Sequence, residues 1–139
     1  MTSIQNNNRP DKGQSEKFSL AKRLASFCYA FNGLIILIKE EHNARIHLFT
    51  ACCVVIAGII FHISTKEWIV VIYCIGWVFV LEMINSVIEN LADLISEENN
   101  PTIKKLKDLS AGAVLVAAIA SAVIGLFIFL PKIFCYCFS

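Results

Sequence analysis

The chain has 139 residues and is apolar and nearly neutral, with 57% hydrophobic and 17% charged residues, a mean hydropathy of +0.67 and a net charge of +1. A soluble domain usually has about half apolar and about a quarter charged residues, so this composition excludes an ordinary soluble protein and indicates an integral membrane protein. The small net charge gives no indication of a nucleic-acid partner, which would require a concentration of positive charge.

The N-terminal region divides into two parts. Residues 1–16 are polar and include three consecutive asparagines, Pro10 and Gly13, so they are predicted to form a disordered tail. In residues 17–40, apolar residues recur at helical spacing and basic residues lie near the start. This pattern predicts an amphipathic helix on the cytoplasmic membrane surface. Packing of the same helix against the membrane spans fits the pattern equally well.

Three stretches are long enough to cross a bilayer. Residues 46–65, 68–88 and 109–130 contain no Asp, Glu, Lys or Arg except Glu82. Each approaches or exceeds the roughly 20 apolar residues that a membrane-spanning helix needs. We therefore predict an all-α fold in which residues 17–139 form one membrane domain with a surface helix and three transmembrane helices.

The basic residues indicate the orientation of these spans. Of the twelve lysines and arginines, ten lie before the first span or in the connection between the second and third spans, and only Lys66 and Lys132 lie on the other side. Short cytoplasmic segments retain positive charge. This distribution predicts a cytoplasmic N-terminus and a C-terminus outside.

The second span contains a polar stripe that continues beyond its end. At about 100° per residue, its five members share one side of a helix, and they are Glu82, Asn85, Ser86, Glu89 and Asp93. An acidic side chain at the centre of a spanning helix costs about 3 kcal/mol on insertion scales, so it normally faces protein or water and has a function. Glu82 is the acidic residue to which this cost applies.

Two further polar segments are predicted to reach the same membrane face. The segment KEEHNARIH at 39–47 supplies Glu41 and His47, and KKLKDL at 104–109 supplies Lys107 and Asp108. Carboxylates that can hold a divalent cation would then lie near lysines that can hold phosphate, which is the charge inventory of phosphoryl transfer. Lysines at a helix end also serve simply as topology anchors, and a histidine at a span end is often only interfacial.

These residues leave two classes of function open. One is a membrane enzyme that handles phosphate, and the other is a small ion- or proton-coupled carrier in which Glu82 and Asp93 relay protons. The sequence has neither GxxxxGK[ST] nor GxGxxG, and its six glycines are scattered. An enzyme that used ATP would therefore need a nucleotide site unlike those of soluble proteins.

The segment LEMINSVIENLADLISEENN at 81–100, followed by KDLSAGAVLV at 107–116, resembles the prokaryotic diacylglycerol kinase family, which includes undecaprenol kinases. The resemblance extends over residues 17–131. It implies a small lipid kinase of the bacterial cytoplasmic membrane, with ATP and Mg2+ as cofactors and a homotrimeric assembly with composite sites. The expected substrate is a membrane lipid alcohol, with diacylglycerol first and undecaprenol second.

The resemblance also implies roles for individual residues. Glu82 matches the base that accepts the proton of the lipid hydroxyl, and Asn85 lies beside it. Glu41 and Glu89 match the carboxylates that hold the metal. The remaining implied positions contact the nucleotide and are Tyr29, Asp93, Glu98, Lys107 and Asp108.

Two features depart from the usual family pattern. Asn100 stands where many members have a histidine near the nucleotide. Lys22 with Arg23 stands near where an arginine is common. Both differences affect the expected nucleotide contacts. His47 and the ending GLFIFLPKI look more like the undecaprenol kinase branch, which affects the expected lipid substrate.

Overall fold

The computed structural model describes residues 20–95 and 100–138, and it excludes the side chains of residues 21, 22, 137 and 138. The four helices are α1 (Leu20–Glu40), α2 (His42–Ile60), α3 (Thr65–Ile95) and α4 (Pro101–Phe138). The last three are long and apolar enough to cross a membrane, which confirms the predicted all-α class with three helices of spanning length. The amphipathic character of α1 and the trimer stay predictions, and the proposed tail at 1–16 lies outside the described residues.

A helical backbone suits this composition because each helix forms its own hydrogen bonds where lipid offers no partner. The residues at the start of α4 show how the local sequence determines where a helix begins. Pro101 occupies the first helical position, where its missing N–H costs nothing, and the side-chain oxygen of Asn100 accepts a hydrogen bond of 2.9 Å from the Thr102 N–H.

A tight turn at residues 61–64 joins α2 to α3. His62 adopts a positive φ of 48°, and Ser64 and Glu67 form a capping box in which both the N–H and the hydroxyl of Ser64 donate to Glu67 Oε2. The two helices approach closely here, and glycine at position 58 allows it, since an added Cβ would lie only 2.8 Å from the Trp68 ring. The turn therefore makes α2 and α3 an antiparallel pair.

Helix α3 is the central element of the bundle, since it packs against both α2 and α4, whereas α1 packs against α2. The end that contains the 61–64 turn is called the hairpin end. There Glu67 forms a 3.2 Å ion pair with Lys132 of α4, and the Phe61 ring packs edge-on against Phe129. The opposite end, where α2 begins and α3 ends, is called the site end.

The helices differ in extent from the expected spans. Helix α2 ends at Ile60, whereas the first charge-free stretch continues to residue 65, because the turn contains no Asp, Glu, Lys or Arg. At the site end, α3 continues to Ile95 and α4 starts at Pro101, so residues 89–95 and 101–108, which border the expected spans, are helical. The polar stripe therefore lies on one continuous helix.

Candidate active site

Two polar residues of α3 are buried among apolar neighbours. Glu82 is 2% exposed and Asn85 is 5% exposed, and they are the buried polar side chains found within residues 20–95 and 100–138. Both lie on the face of α3 that is covered by the other helices, near the site end. The helix bundle thus encloses the carboxylate that would be most costly to expose to acyl chains.

The Glu82 carboxylate has an unused acceptor. Its Oε2 atom is buried and has no hydrogen-bond partner among the described residues. His47, Glu41 and Glu89 are the ionisable side chains close enough to interact electrostatically with this carboxylate. A buried acceptor without a partner costs about 1–3 kcal/mol, so its retention points to a partner that arrives from outside the chain.

Glu41 reaches the same region from the junction between α1 and α2. It is the single residue between these helices, and its backbone is extended, with φ −92° and ψ 120°. The Ser86 hydroxyl donates a 2.7 Å hydrogen bond to Glu41 Oε1. This bond anchors the junction on α3 and fixes one oxygen of the carboxylate.

A second hydrogen-bonded chain crosses from α4 to α3. The Ser110 hydroxyl lies 2.7 Å from Asn85 Oδ1, and Asn85 Nδ2 donates to Glu89 Oε1 at 2.9 Å. Asn85 and Glu89 are four residues apart and hence share one side of the helix. Sequence reasoning did not select Ser110, although it lies one helical turn after Lys107 and so shares its side of α4.

The outermost contact of the site is an ion pair between α3 and α4. Lys107 Nζ lies 2.5 Å from Asp93 Oδ1, and the two side chains are 33% and 65% exposed. Both residues were expected to contact the nucleotide, and the fold brings them together. Asp93 is therefore the most exposed member of the polar stripe.

Two of the expected site residues are located elsewhere. Asp108 is exposed and borders a groove between α3 and α4 that Leu81 and Tyr73 also line. It faces away from the adjacent Lys107 because consecutive helical residues point about 100° apart. Tyr29 is 76% exposed on α1, and the hydrogen bonds described above do not join it to the cluster. Glu98 lies outside the described residues.

The oxygen atoms of the site suit a hard divalent cation. The hydrogen bonds named above engage one oxygen each of Glu41 and Glu89, and Glu82 contributes an unpaired buried oxygen. In the described part of the chain, no group of three or more His, Cys, Asp or Glu side chains is placed to hold a metal ion, so the protein would supply at most two such ligands. Mg2+ commonly uses one or two carboxylates and completes its shell with water and substrate phosphates, so this donor set fits Mg2+.

Comparison with known proteins finds a family of lipid kinases. The sequence model of the family described as prokaryotic diacylglycerol kinase matches residues 28–129. The undecaprenol kinase of Bacillus subtilis is 42% identical over 108 residues, which cover 78% of this chain and 88% of that protein. The diacylglycerol kinase of Synechocystis sp. is 34% identical over 111 residues, which cover 79% of this chain and 63% of that protein.

The family match includes every residue of the hydrogen-bonded cluster at the site end. It spans nearly three quarters of the chain and contains the junction between α1 and α2, all of α3, and α4 apart from its last turns. The chain belongs to the prokaryotic diacylglycerol kinase family and is a membrane lipid kinase of the diacylglycerol kinase type.

Proposed function

We propose that this protein transfers the γ-phosphate of ATP to the hydroxyl of a membrane lipid alcohol, with Glu82 as the general base. The observation that carries the proposal is the buried Oε2 atom of Glu82, which has no partner among the described residues. A lipid hydroxyl that donates to this atom would satisfy the buried acceptor and would be held for deprotonation. The hydrocarbon part of the lipid would remain in the bilayer, so the protein need only position the alcohol.

The proposed reaction has one bond-forming and one bond-breaking event. As the lipid oxygen attacks the γ-phosphorus, its proton passes to Glu82, and the bond from the γ-phosphorus to the bridging oxygen breaks. ADP leaves with the electron pair of that bond. Phosphoryl transfer requires mainly positioning and charge neutralisation, which agrees with a site made of a few fixed polar groups.

Glu41 and Glu89 are the proposed metal ligands. Each has one oxygen held by a hydrogen bond from α3, so its carboxylate is oriented before a cation binds. Mg2+, when bound, would neutralise negative charge on the ATP phosphates. The closeness of these acidic groups to Glu82 supports the role, because a cation would offset their mutual repulsion.

The exposed end of the stripe is the proposed nucleotide side. Lys107 can donate to phosphate oxygens, and its bond to Asp93 holds the ammonium group near the end of α3. The roles of Tyr29, Asp108 and Glu98 as further nucleotide contacts follow from the family resemblance. The proposal places the base deeper in the bundle than the nucleotide, so that the lipid and ATP approach from different directions.

The orientation and assembly also belong to the proposal. Ten lysines and arginines lie on the side of the N-terminus and two lie on the opposite side, which supports a cytoplasmic N-terminus and an external C-terminus. That orientation would direct the site end toward cytoplasmic ATP. The inner-membrane location and the homotrimer are inferred from membership of the family.

For the lipid, we propose undecaprenol as the physiological substrate and diacylglycerol as the second candidate. The sequence alone put diacylglycerol first. The greater identity to the Bacillus subtilis protein named undecaprenol kinase, together with its 88% coverage, supports the reverse order. The Synechocystis protein named diacylglycerol kinase supports the second candidate at 34% identity.

A lipid panel tests the proposed function. Purified protein in mixed micelles is incubated with Mg2+, γ-labelled ATP and equal mole fractions of either undecaprenol or diacylglycerol, with Glu82→Gln as the inactive control. We expect label in lipid phosphate, with a higher kcat/KM for undecaprenol. A higher kcat/KM for diacylglycerol would reverse the substrate order. Absence of labelled lipid, combined with proton-driven solute flux in vesicles, would favour the carrier instead.

A further inference from the structure

We propose that Ser110 is a positioning residue that acts through Asn85 to hold the Glu89 carboxylate in its cation-binding orientation. The inference rests on the proposed role of Glu89 as a metal ligand. Its structural basis is the pair of consecutive bonds from Ser110 to Asn85 and from Asn85 to Glu89, at 2.7 and 2.9 Å. Of the three hydrogen-bonded residues, Ser110 is the one on α4. It therefore connects the packing of α4 with the orientation of a carboxylate on α3.

The chemistry of the three groups sets the direction of these bonds. An ionised carboxylate only accepts hydrogen bonds, so the amide nitrogen of Asn85 must face Glu89 and the amide oxygen must face Ser110. The Ser110 hydroxyl is therefore the donor. The reverse amide orientation would bring Asn85 Oδ1 against Glu89 Oε1, two acceptors with no proton between them. The Glu89 carboxylate thus sets the amide orientation, and the Ser110 hydroxyl holds the amide in place by donating to Asn85 Oδ1.

The hydroxyl has a second acceptor within reach. Ser110 Oγ lies 2.9 Å from the carbonyl oxygen of Lys107, but its single proton serves one acceptor at a time. The Lys107 carbonyl is already within the helical hydrogen-bond ladder of α4. Asn85 Oδ1 belongs to a side chain that is only 5% exposed, so solvent is a poor replacement for the Ser110 donor.

Binding of Mn2+, used as a probe for Mg2+, tests the inference without turnover. Mn2+ affinity is measured by electron paramagnetic resonance on the full chain in detergent with a non-hydrolysable ATP analogue. We expect Ser110→Ala to weaken Mn2+ binding about tenfold, as outer-shell partners of metal ligands commonly do, while kcat at saturating Mg2+ changes less than about threefold. Ser110→Thr retains the hydroxyl and should bind Mn2+ more tightly than Ser110→Ala. Ser121→Ala makes the same substitution further along α4 and should bind normally.

A double variant separates this inference from the proposed metal role. If Ser110 acts through Glu89, adding Ser110→Ala to Glu89→Gln should cause no further loss of Mn2+ affinity. Normal Mn2+ binding by Ser110→Ala, alongside weakened binding by Glu89→Gln, would overturn the inference and leave the metal role intact. Normal binding by Glu89→Gln would overturn the metal role itself. A lower unfolding temperature for Ser110→Ala with unchanged Mn2+ affinity would assign Ser110 to packing and overturn the inference.

Discussion

Ser86 and Glu41, which are 45 residues apart in the sequence, are joined by a 2.7 Å hydrogen bond from the Ser86 hydroxyl to Glu41 Oε1. The bond connects the junction between α1 and α2 to the middle helix of the bundle. It brings a carboxylate from outside α3 toward the two acidic residues on α3 itself, Glu82 and Glu89. Glu82 thus has acidic groups from separate parts of the chain within electrostatic range, and a bound cation would offset their repulsion.

Replacement of Glu41 by glutamine tests whether the negative charge of Glu41 helps to hold a cation. The side-chain carbonyl of the glutamine can still accept the Ser86 bond, but the negative charge is lost. We therefore expect Glu41→Gln to raise the Mg2+ concentration for half-maximal activity by about tenfold or more. Glu40→Gln is the matched control, because Glu40 is the exposed neighbouring residue at the end of α1. Identical Mg2+ titrations for the two variants would contradict a metal role for Glu41.

Replacement of Glu82 by glutamine tests the proposed base. The substitution preserves size but removes the proton acceptor, so kcat should fall by at least about 100-fold, while the protein remains folded. Phosphate transfer to lipid and thermal unfolding are measured on the same preparation. Glu67→Gln, on the same helix at the hairpin end, should keep near-normal kcat. Near-normal turnover by Glu82→Gln would reject Glu82 as the base.

Replacement of Lys107 by glutamine tests whether this lysine contacts the nucleotide or only forms an ion pair with Asp93. An ion pair this exposed contributes about 0–1 kcal/mol to stability. A hydrogen bond to a charged phosphate is worth about 1.5–3 kcal/mol, so Lys107→Gln should raise the KM for ATP about tenfold or more with little change in unfolding. Lys105→Gln, on an exposed neighbour, provides the control. An unchanged KM for ATP would leave Lys107 with only its structural contact to Asp93.

Ser64 provides a stability prediction far from the site. Its hydroxyl and N–H bind Glu67 in the capping box at the start of α3, and replacement of such a capping residue by alanine costs about 1 kcal/mol. Ser64→Ala should therefore lower the free energy of unfolding, measured by detergent denaturation in mixed micelles, while the KM for ATP stays the same. Ser64→Thr retains the cap and should be closer to the parent protein. Equal unfolding curves for all three proteins would show that the cap contributes nothing.

The stripe on α3 was predictable because it depends on one helix alone. Once residues 81–95 are helical, the spacing of 3.6 residues per turn puts Glu82, Asn85 and Glu89 on one side. The long apolar stretches likewise predicted three spanning helices, since the bilayer requires a minimum length and internal hydrogen bonding. The stripe follows from helix geometry and the spans follow from the length of the apolar stretches, and both can be read from the sequence without knowledge of the packing.

The contacts between helices required the tertiary structure. Lys107 and Asp108 are adjacent in the sequence, yet Lys107 pairs with Asp93 while Asp108 borders the groove on another side of α4. The position of Ser110 one helical turn after Lys107 did not identify its partner, and only the packing of α4 put it beside Asn85. The rotation of one helix about its axis relative to its neighbour decides such pairs, and the sum of many packing contacts sets that rotation. The sequence by itself determined the membrane class, the helices and the acidic stripe, whereas the fold decided which groups bond across the helices.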